Sequence, residues 1–362
     1  MTRAAASLLS PAGALARSSR PVRVMIVDDS ITARTVLSRI VEGEDDMIVA
    51  ATANSAEQAL GVLGGEQVDV ILLDLEMPGI GGLAALPKIL EVARGAQILV
   101  ISSLTLDGAE PTVAALSQGA ADTLPKPAVG QFTVPYRQNM IAKIRALGRS
   151  ERAAARPPRT RARRMAREQA AIIAIGASTG GIHAMSQLFS TLPRGLRVPF
   201  LVTQHLPASF MPVFARQLEG FSGYPTSIAR DRAVLRPGHI LVAPGDGHLV
   251  AERKGETLIA RISRAPAPSG FMPSVDPMFH SLGEVAGGQA LGVMLSGMGR
   301  DGCEGAAHLV EQGGTIFAQD QESAAVWGMP RGVAEAGIAA AVLPPQEIAL
   351  RIAASTGASQ CK

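Results

Sequence analysis

Three residues in the C-terminal half have the types and settings needed for acyl transfer. Gly176-Ala177-Ser178-Thr179-Gly180 fits the pattern G-x-S-x-G and directly follows the apolar run Ala171–Ile175. Small residues on either side let the backbone turn sharply and present the serine oxygen. The start of the following helix lies close by and offers N–H groups to an oxyanion. A base and an orienting acid complete such a site. His205 stands in Thr203-Gln-His-Leu-Pro207, just after the apolar run Val198–Thr203. Asp301 stands in Gly297-Met-Gly-Arg-Asp-Gly302, just after Ala290–Leu295. If the three runs are strands of one sheet, Ser178, His205 and Asp301 meet at one edge. The order Ser, His, Asp differs from the Ser, Asp, His of α/β-hydrolases, so a different connectivity is expected. The glycine loop has a second reading, phosphate binding, but its spacing fits neither G-x-G-x-x-G nor the P-loop.

Other histidines and acids read as structural. His183 falls within the helix after the serine loop, His239 opens a strand, and His280 and His308 lie mid-helix. His248 follows Ala243-Pro-Gly-Asp-Gly247 and is a candidate for lining the cleft. Asp246, Asp276 and Asp320 read as loop or cap acids. No two histidines share a metal-ligand spacing, which argues against a metallohydrolase.

A second constellation lies in the N-terminal half. Asp28 and Asp29 end the apolar run Val22–Val27, and Asp74 ends Val68–Leu73. In an open parallel sheet these ends form the ligand-binding edge, and strands one and three are neighbours in the order 2-1-3-4-5. Converging carboxylates repel one another and favour a hard divalent cation such as Mg²⁺. The cation neutralises them and leaves an oxygen able to attack phosphorus. Ser102 ends Gln97–Ile101 and Lys126 follows Ala121–Leu124, placing a hydroxyl and an ammonium where phosphoryl oxygens would lie. A cis bond at Lys126-Pro127 is a further expectation.

The elements that must position these groups follow from patterning. Residues 22–147 alternate five short apolar runs with helical segments, which predicts a (βα)5 unit with a doubly wound parallel sheet. A disordered extension is expected over 1–21 and an Arg/Pro-rich linker over 148–168. A second α/β domain is expected over 169–355, mainly parallel, with a small antiparallel hairpin around Lys254-Gly255-Glu256. The 362 residues suit two domains. Aromatics are only 3% of the chain, so the apolar mass is aliphatic. No apolar run approaches the roughly 18–20 residues of a membrane span. Two cysteines without a paired spacing, Cys303 and Cys361, point to a reducing cytoplasm. Nine arginines and one acid lie between Arg145 and Arg167, giving +8 there against a chain total of +3, and so −5 elsewhere. Basicity this local, without aromatics to stack on bases, argues against nucleic-acid binding.

Two resemblances carry these readings further. Asp28, Asp29, Asp74, Ser102 and Lys126, with Leu75-Glu-Met-Pro78, resemble the response-regulator receiver family over about residues 22–147. That resemblance implies Asp74 as phosphoacceptor, Asp28 and Asp29 with Asp74 around Mg²⁺, Ser102 as switch hydroxyl and Lys126 as phosphate-binding lysine. Relatives commonly have Asp-Gly where this chain runs Gly79-Ile-Gly-Gly82, so a more flexible loop is expected. Ile175-Gly-Ala-Ser-Thr-Gly-Gly181, Gln204-His-Leu-Pro207, Ala243-Pro-Gly245, Pro273-Ser-Val-Asp276, Leu295-Ser-Gly-Met-Gly299 and Gly328-Met-Pro-Arg331 resemble the chemotaxis methylesterase family over about residues 170–350. It implies Ser178 as nucleophile, His205 as base and Asp301 as acid, with Thr179 and Met298 near the oxyanion site. Arg300 stands where some relatives have Asn.

The implied activity is phosphorylation-controlled hydrolysis of glutamate methyl esters, and deamidation of glutamines, on chemoreceptor helices. A chemotaxis histidine kinase would be the phosphodonor. No cofactor is expected for the ester chemistry, and membranes enter only through the receptors. A non-catalytic adaptor, a hydrolase of another ester or amide, and a nucleotide-binding domain are the competing readings. The first predicts a broken triad, the third an acid where Thr203-Gln204-His205 stands.

Overall fold

The computed structural model describes residues 20–102, 106–126, 132–148 and 169–357. Residues 1–19 of the expected N-terminal extension, most of the arginine-rich linker and the Lys126-Pro127 bond lie outside the described residues.

The first unit runs Val22–Val27 (β1), Ile31–Glu42 (α1), Met47–Ala53 (β2), Ala56–Leu63 (α2), Val70–Asp74 (β3), Gly82–Val92 (α3), Gln97–Ser102 (β4), Leu106–Gln118 (α4), Asp122–Pro125 (β5) and Val134–Gly148 (α5). Its sheet has the order β2-β1-β3-β4-β5, all parallel. The central strands are buried on both faces, as their unbroken runs of Val, Ile and Leu require. Ser30 and Ser55 accept from backbone N–H groups of Ala33 and Gln58, capping α1 and α2. These strands and helices put Asp28, Asp74, Ser102 and Lys126 at the carboxyl edge.

The glycine run after Asp74 is tied down. Gly82 N–H donates to Leu75 O, and Ile80 N–H donates to Glu57 Oε1. A Cβ at Gly82 would lie 2.1 Å from Asp74 O, so the tight turn excludes any other residue there. The expected extra freedom of this loop is therefore opposed by close backbone packing.

The second unit comprises Ile172–Ala177 (β6), Gly181–Thr191 (α6), Phe200–Gln204 (β7), Met211–Ser222 (α7), Thr226–Ile228 (β8), Ile240–Val242 (β9), His248–Lys254 (β10), Thr257–Ser263 (β11), Val275–Ala286 (α8), Ala290–Met294 (β12), Cys303–Glu311 (α9), Thr315–Gln319 (β13), Met329–Glu335 (α10), Ala341–Leu343 (β14) and Pro345–Ser355 (α11). Seven strands form a parallel sheet in the order β14-β13-β12-β6-β7-β9-β8. β10 and β11 form the separate antiparallel hairpin. Strand order reverses at β6, which places a ligand crevice at the carboxyl ends of β6 and its neighbours β7 and β12.

The two units share buried surface. One continuous apolar cluster includes Val113 and Leu116 of α4 with Ile182 and Met185 of α6 and Phe214 of α7. Another joins Leu72, Leu124 and Ile144 of the first unit to Val326, with Met298 and Ala325 packed against it.

Candidate functional site

Ser178 sits one residue beyond β6, at the crevice. Its N–H donates to Ser296 O at 3.0 Å, and Gln204 Nε2 donates to its carbonyl at 2.9 Å. Gly180 adopts φ +79° and stands just before α6, at its N-cap. The loop is thereby held from β7 and from the segment after β12. His205 follows β7, and its Nδ1 lies 3.1 Å from Ser178 Oγ. Its Nε2 lies 2.7 Å from Asp301 Oδ2. A carboxylate only accepts, so Nε2 carries the proton and Nδ1 is free to accept from the serine hydroxyl.

Asp301 is buried and well supplied with donors. Ser274 Oγ donates to its Oδ1 at 2.6 Å, and Val275 N–H donates to its Oδ2 at 2.8 Å. Burial alone raises a carboxyl pKa, but the bonds from His205, Ser274 and Val275 outweigh it and hold Asp301 well below the usual range. Asp276, next along α8, is pushed up to about 6 by burial and by the Asp301 charge, against donation from Gly305 and Gly302 N–H.

His248 is buried one layer behind this pair and does not line the cleft directly. Its Nδ1 accepts from Ser274 N–H at 2.9 Å, and its Nε2 lies 2.9 Å from Ala265 O. It fixes both ends of the strap 265–274. That strap carries Ser274 onto Asp301 and lays Phe271 over the His205 ring, with centroids 4.3 Å apart and planes at 14°.

The first unit reaches this site directly. Gly180 N–H donates to Ala121 O at 2.6 Å. Thr179 Oγ1 donates to Asp122 Oδ2, which also receives Lys143 Nζ at 2.5 Å. His183 faces the same interface, with Nδ1 3.2 Å from Ser117 O. The Thr179 hydroxyl is thus engaged by the neighbouring unit. Met298 also packs against that unit.

At the carboxyl edge of the first sheet, Asp28, Asp29 and Asp74 place oxygens within 4.8 Å of one another. Asp28 Oδ1 accepts from Ser30 N–H at 2.8 Å, while Oδ2 is buried without a hydrogen-bond partner. Asp74 Oδ1 accepts from Glu76 N–H at 3.0 Å, and Oδ2 lies 2.5 Å from Lys126 Nζ. Burial pushes the Asp74 pKa up, and neither the Lys126 ammonium nor the Glu76 N–H fully offsets that. The Lys126 pKa is raised too: burial lowers it, but Asp74 and the neighbouring acids prevail. The orphaned Asp28 oxygen and the crowded acids fit a hard divalent cation. Ser102 pairs with Thr123 Oγ1 at 3.3 Å rather than with Asp74.

Comparisons with known proteins agree with both halves. Residues 24–132 match the response regulator receiver domain model, and residues 173–352 match the CheB methylesterase model. A protein-glutamate methylesterase/protein-glutamine glutaminase of Paramagnetospirillum magneticum is 39% identical, covering 91% of this chain and 94% of the relative. The chain belongs to the CheB methylesterase family. A family member from Azospirillum brasilense is 38% identical over 91% of each chain. The CheB methylesterase catalytic domain of Thermotoga maritima is 32% identical, covering 51% of this chain and 97% of that one, with a TM-score of 0.49.

Several partners in this CheB-family site were not singled out from sequence. Ser274 appeared only within a motif block. Asp122 carried no signal, because its role depends on which faces of the two units meet. Phe271 reads as an ordinary loop residue until the strap is folded over His205.

Proposed function

We propose that this chain removes methyl groups from glutamate side chains of chemoreceptors, and deamidates receptor glutamines, under control of phosphorylation at Asp74. The hydrogen-bonded line Ser178–His205–Asp301 at the switch point of the second sheet is the observation that carries this reading. Ser178 Oγ attacks the γ-glutamyl carbonyl while His205 Nδ1 takes its proton. The imidazolium returns that proton to the leaving methoxide, or to the leaving amine in deamidation. Water then attacks the acyl-enzyme by the same route and releases glutamate. Asp301 holds the ring in the productive tautomer. Thr179 and Met298 border the place where the oxyanion develops.

In the first unit Asp74 accepts the phosphoryl group, and Ser102 and Lys126 contact its oxygens. Asp28, Asp29 and Asp74 would hold Mg²⁺, which when bound neutralises these acids and the incoming phosphoryl charge. The donor is a chemotaxis histidine kinase, and the setting is the cytoplasm. Among the described residues no helix is long and apolar enough to cross a membrane.

The contacts between the units support the control step. Ala121 O and Asp122 Oδ2 occupy the Gly180 N–H and the Thr179 hydroxyl, two donors within two residues of the nucleophile. β5 carries Asp122 and is followed by Lys126, so a phosphoryl group that draws Lys126 away from Asp74 disturbs the strand that grips the serine loop. The test is methanol release from methylated receptor membranes. The wild type releases methanol and Ser178→Ala does not. Equal release by both would place the chemistry elsewhere.

A further inference from the structure

α8 and α9 both begin beside Asp301, and farther along they bring together a second group of ligating side chains. α8 and α9 run side by side in the same direction. Glycine sits at the contacts: a Cβ at Gly305 would lie 2.4 Å from Asp276 O, and one at Gly283 would lie 3.2 Å from Leu309 Cα. This close approach lets the His308 ring lie over Gly283, with its Cδ2 also 3.2 Å from that Cβ position. One turn earlier on α8, His280 meets the same ring, with centroids 3.8 Å apart and planes at 5°. Glu284, four residues after His280 on the same helix face, places Oε1 2.6 Å from His308 Nε2. A ligand atom of each of the three lies within 4.8 Å of the other two.

We propose that His280, Glu284 and His308 bind one divalent transition-metal ion of the zinc class and tie α8 to α9. Two imidazoles and a carboxylate suit such an ion, and water completes a tetrahedron. The carboxylate distinguishes the set from a mere ring stack, because it supplies charge to the ion. At metal–ligand distances of about 2.0–2.2 Å, ligand atoms stand roughly 3.3 Å apart. The exposed His280 ring and the partly exposed His308 ring can turn out of their stack to close the remaining gap. His280 and Glu284 are exposed, so ligand exchange needs no opening of the fold. The donor set differs from Asp28, Asp29 and Asp74, which offer oxygen only and suit Mg²⁺.

The test is a calorimetric titration of the full chain with ZnCl₂ in millimolar Mg²⁺, which occupies the acidic cluster. Wild type is compared with His280→Gln, His308→Gln, Glu284→Gln and His205→Ala. One equivalent of zinc is lost in each of the first two variants. Its half-saturation rises about tenfold in Glu284→Gln, and it is retained in His205→Ala. Zinc raises the thermal midpoint of wild type by several degrees and leaves those of His280→Gln and His308→Gln unmoved, while without metal all three melt alike. Loss of the equivalent in His205→Ala with retention in His280→Gln would assign the ion to the ester site and overturn the proposal. So would a wild type that binds no zinc, or unchanged binding in all variants.

Discussion

Asp301 and Asp74 are both buried carboxylates at the carboxyl edge of a parallel sheet, yet their surroundings push them in opposite directions. Asp301 receives a hydroxyl, a backbone N–H and an imidazole N–H, and stays ionised far below the usual range. Asp74 faces Asp28 across one ammonium, and its pKa is raised. The first site is complete before substrate arrives: its acid is fixed so that a ring is fixed. The second leaves an Asp28 oxygen without a hydrogen bond and holds like charges in contact across a single ammonium. The two sites therefore differ less in residue type than in how many donors each carboxylate has been given.

The largest expected effects test the finished site. Ser178→Ala and Asp301→Asn should each lower methyl-ester hydrolysis by on the order of 10⁴-fold or more, read as kcat on methylated receptors. Asp301→Asn losing only a few-fold would mean that the three donors around it are not there to hold the imidazole. His248→Ala removes the pin behind the strap. It leaves Ser274 N–H without its acceptor and should cost about 1–3 kcal/mol in urea unfolding, with a lower kcat. An unchanged midpoint would break the link between strap and triad.

The next effect lies between the two sites. Asp122→Ala frees the Thr179 hydroxyl and Lys143 and should raise hydrolysis by unphosphorylated protein several-fold, since about 1.4 kcal/mol is tenfold. No rise would mean that the grip on the serine loop does not restrain it.

The smallest concerns pH. Asp301 has a folded pKa below its unfolded one, so its contribution is present above about pH 4 and fades as pH falls further. Asp276 is raised to about 6, so its contribution is full below about pH 4 and is lost as pH rises through about 6. Thermal midpoints should reveal the second term as a decline between about pH 4 and 6 that flattens in Asp276→Asn.

Much of this was legible in the sequence because strand ends announce themselves. Asp28, Asp74, Ser178, His205 and Asp301 each follow an apolar run, and the order 2-1-3-4-5 follows from alternation. Element starts near proline were harder. Pro135 lies in the first turn of α5, which begins at Val134. α8 begins at Val275, with Pro277 inside its first turn. α10, β14 and α11 give no clear pattern, because Gly332, Gly337 and a run of alanines blur their period. Contacts between faces were not legible at all. Thr179 with Asp122, Ser274 with Asp301, and His280 with His308 depend on helix and strand packing that no local spacing records. The expectation that no two histidines share a metal spacing is true along the chain but does not hold in space.

Phosphorylation of the first site would act through its contacts with the second. The most direct measurement is methanol release from methylated receptor membranes with and without acetyl phosphate and Mg²⁺, for wild type and Asp74→Asn. The account predicts that acetyl phosphate accelerates the wild type several-fold and leaves Asp74→Asn at its unstimulated rate. Equal stimulation of both, or of neither while Asp74 is phosphorylated, would contradict it.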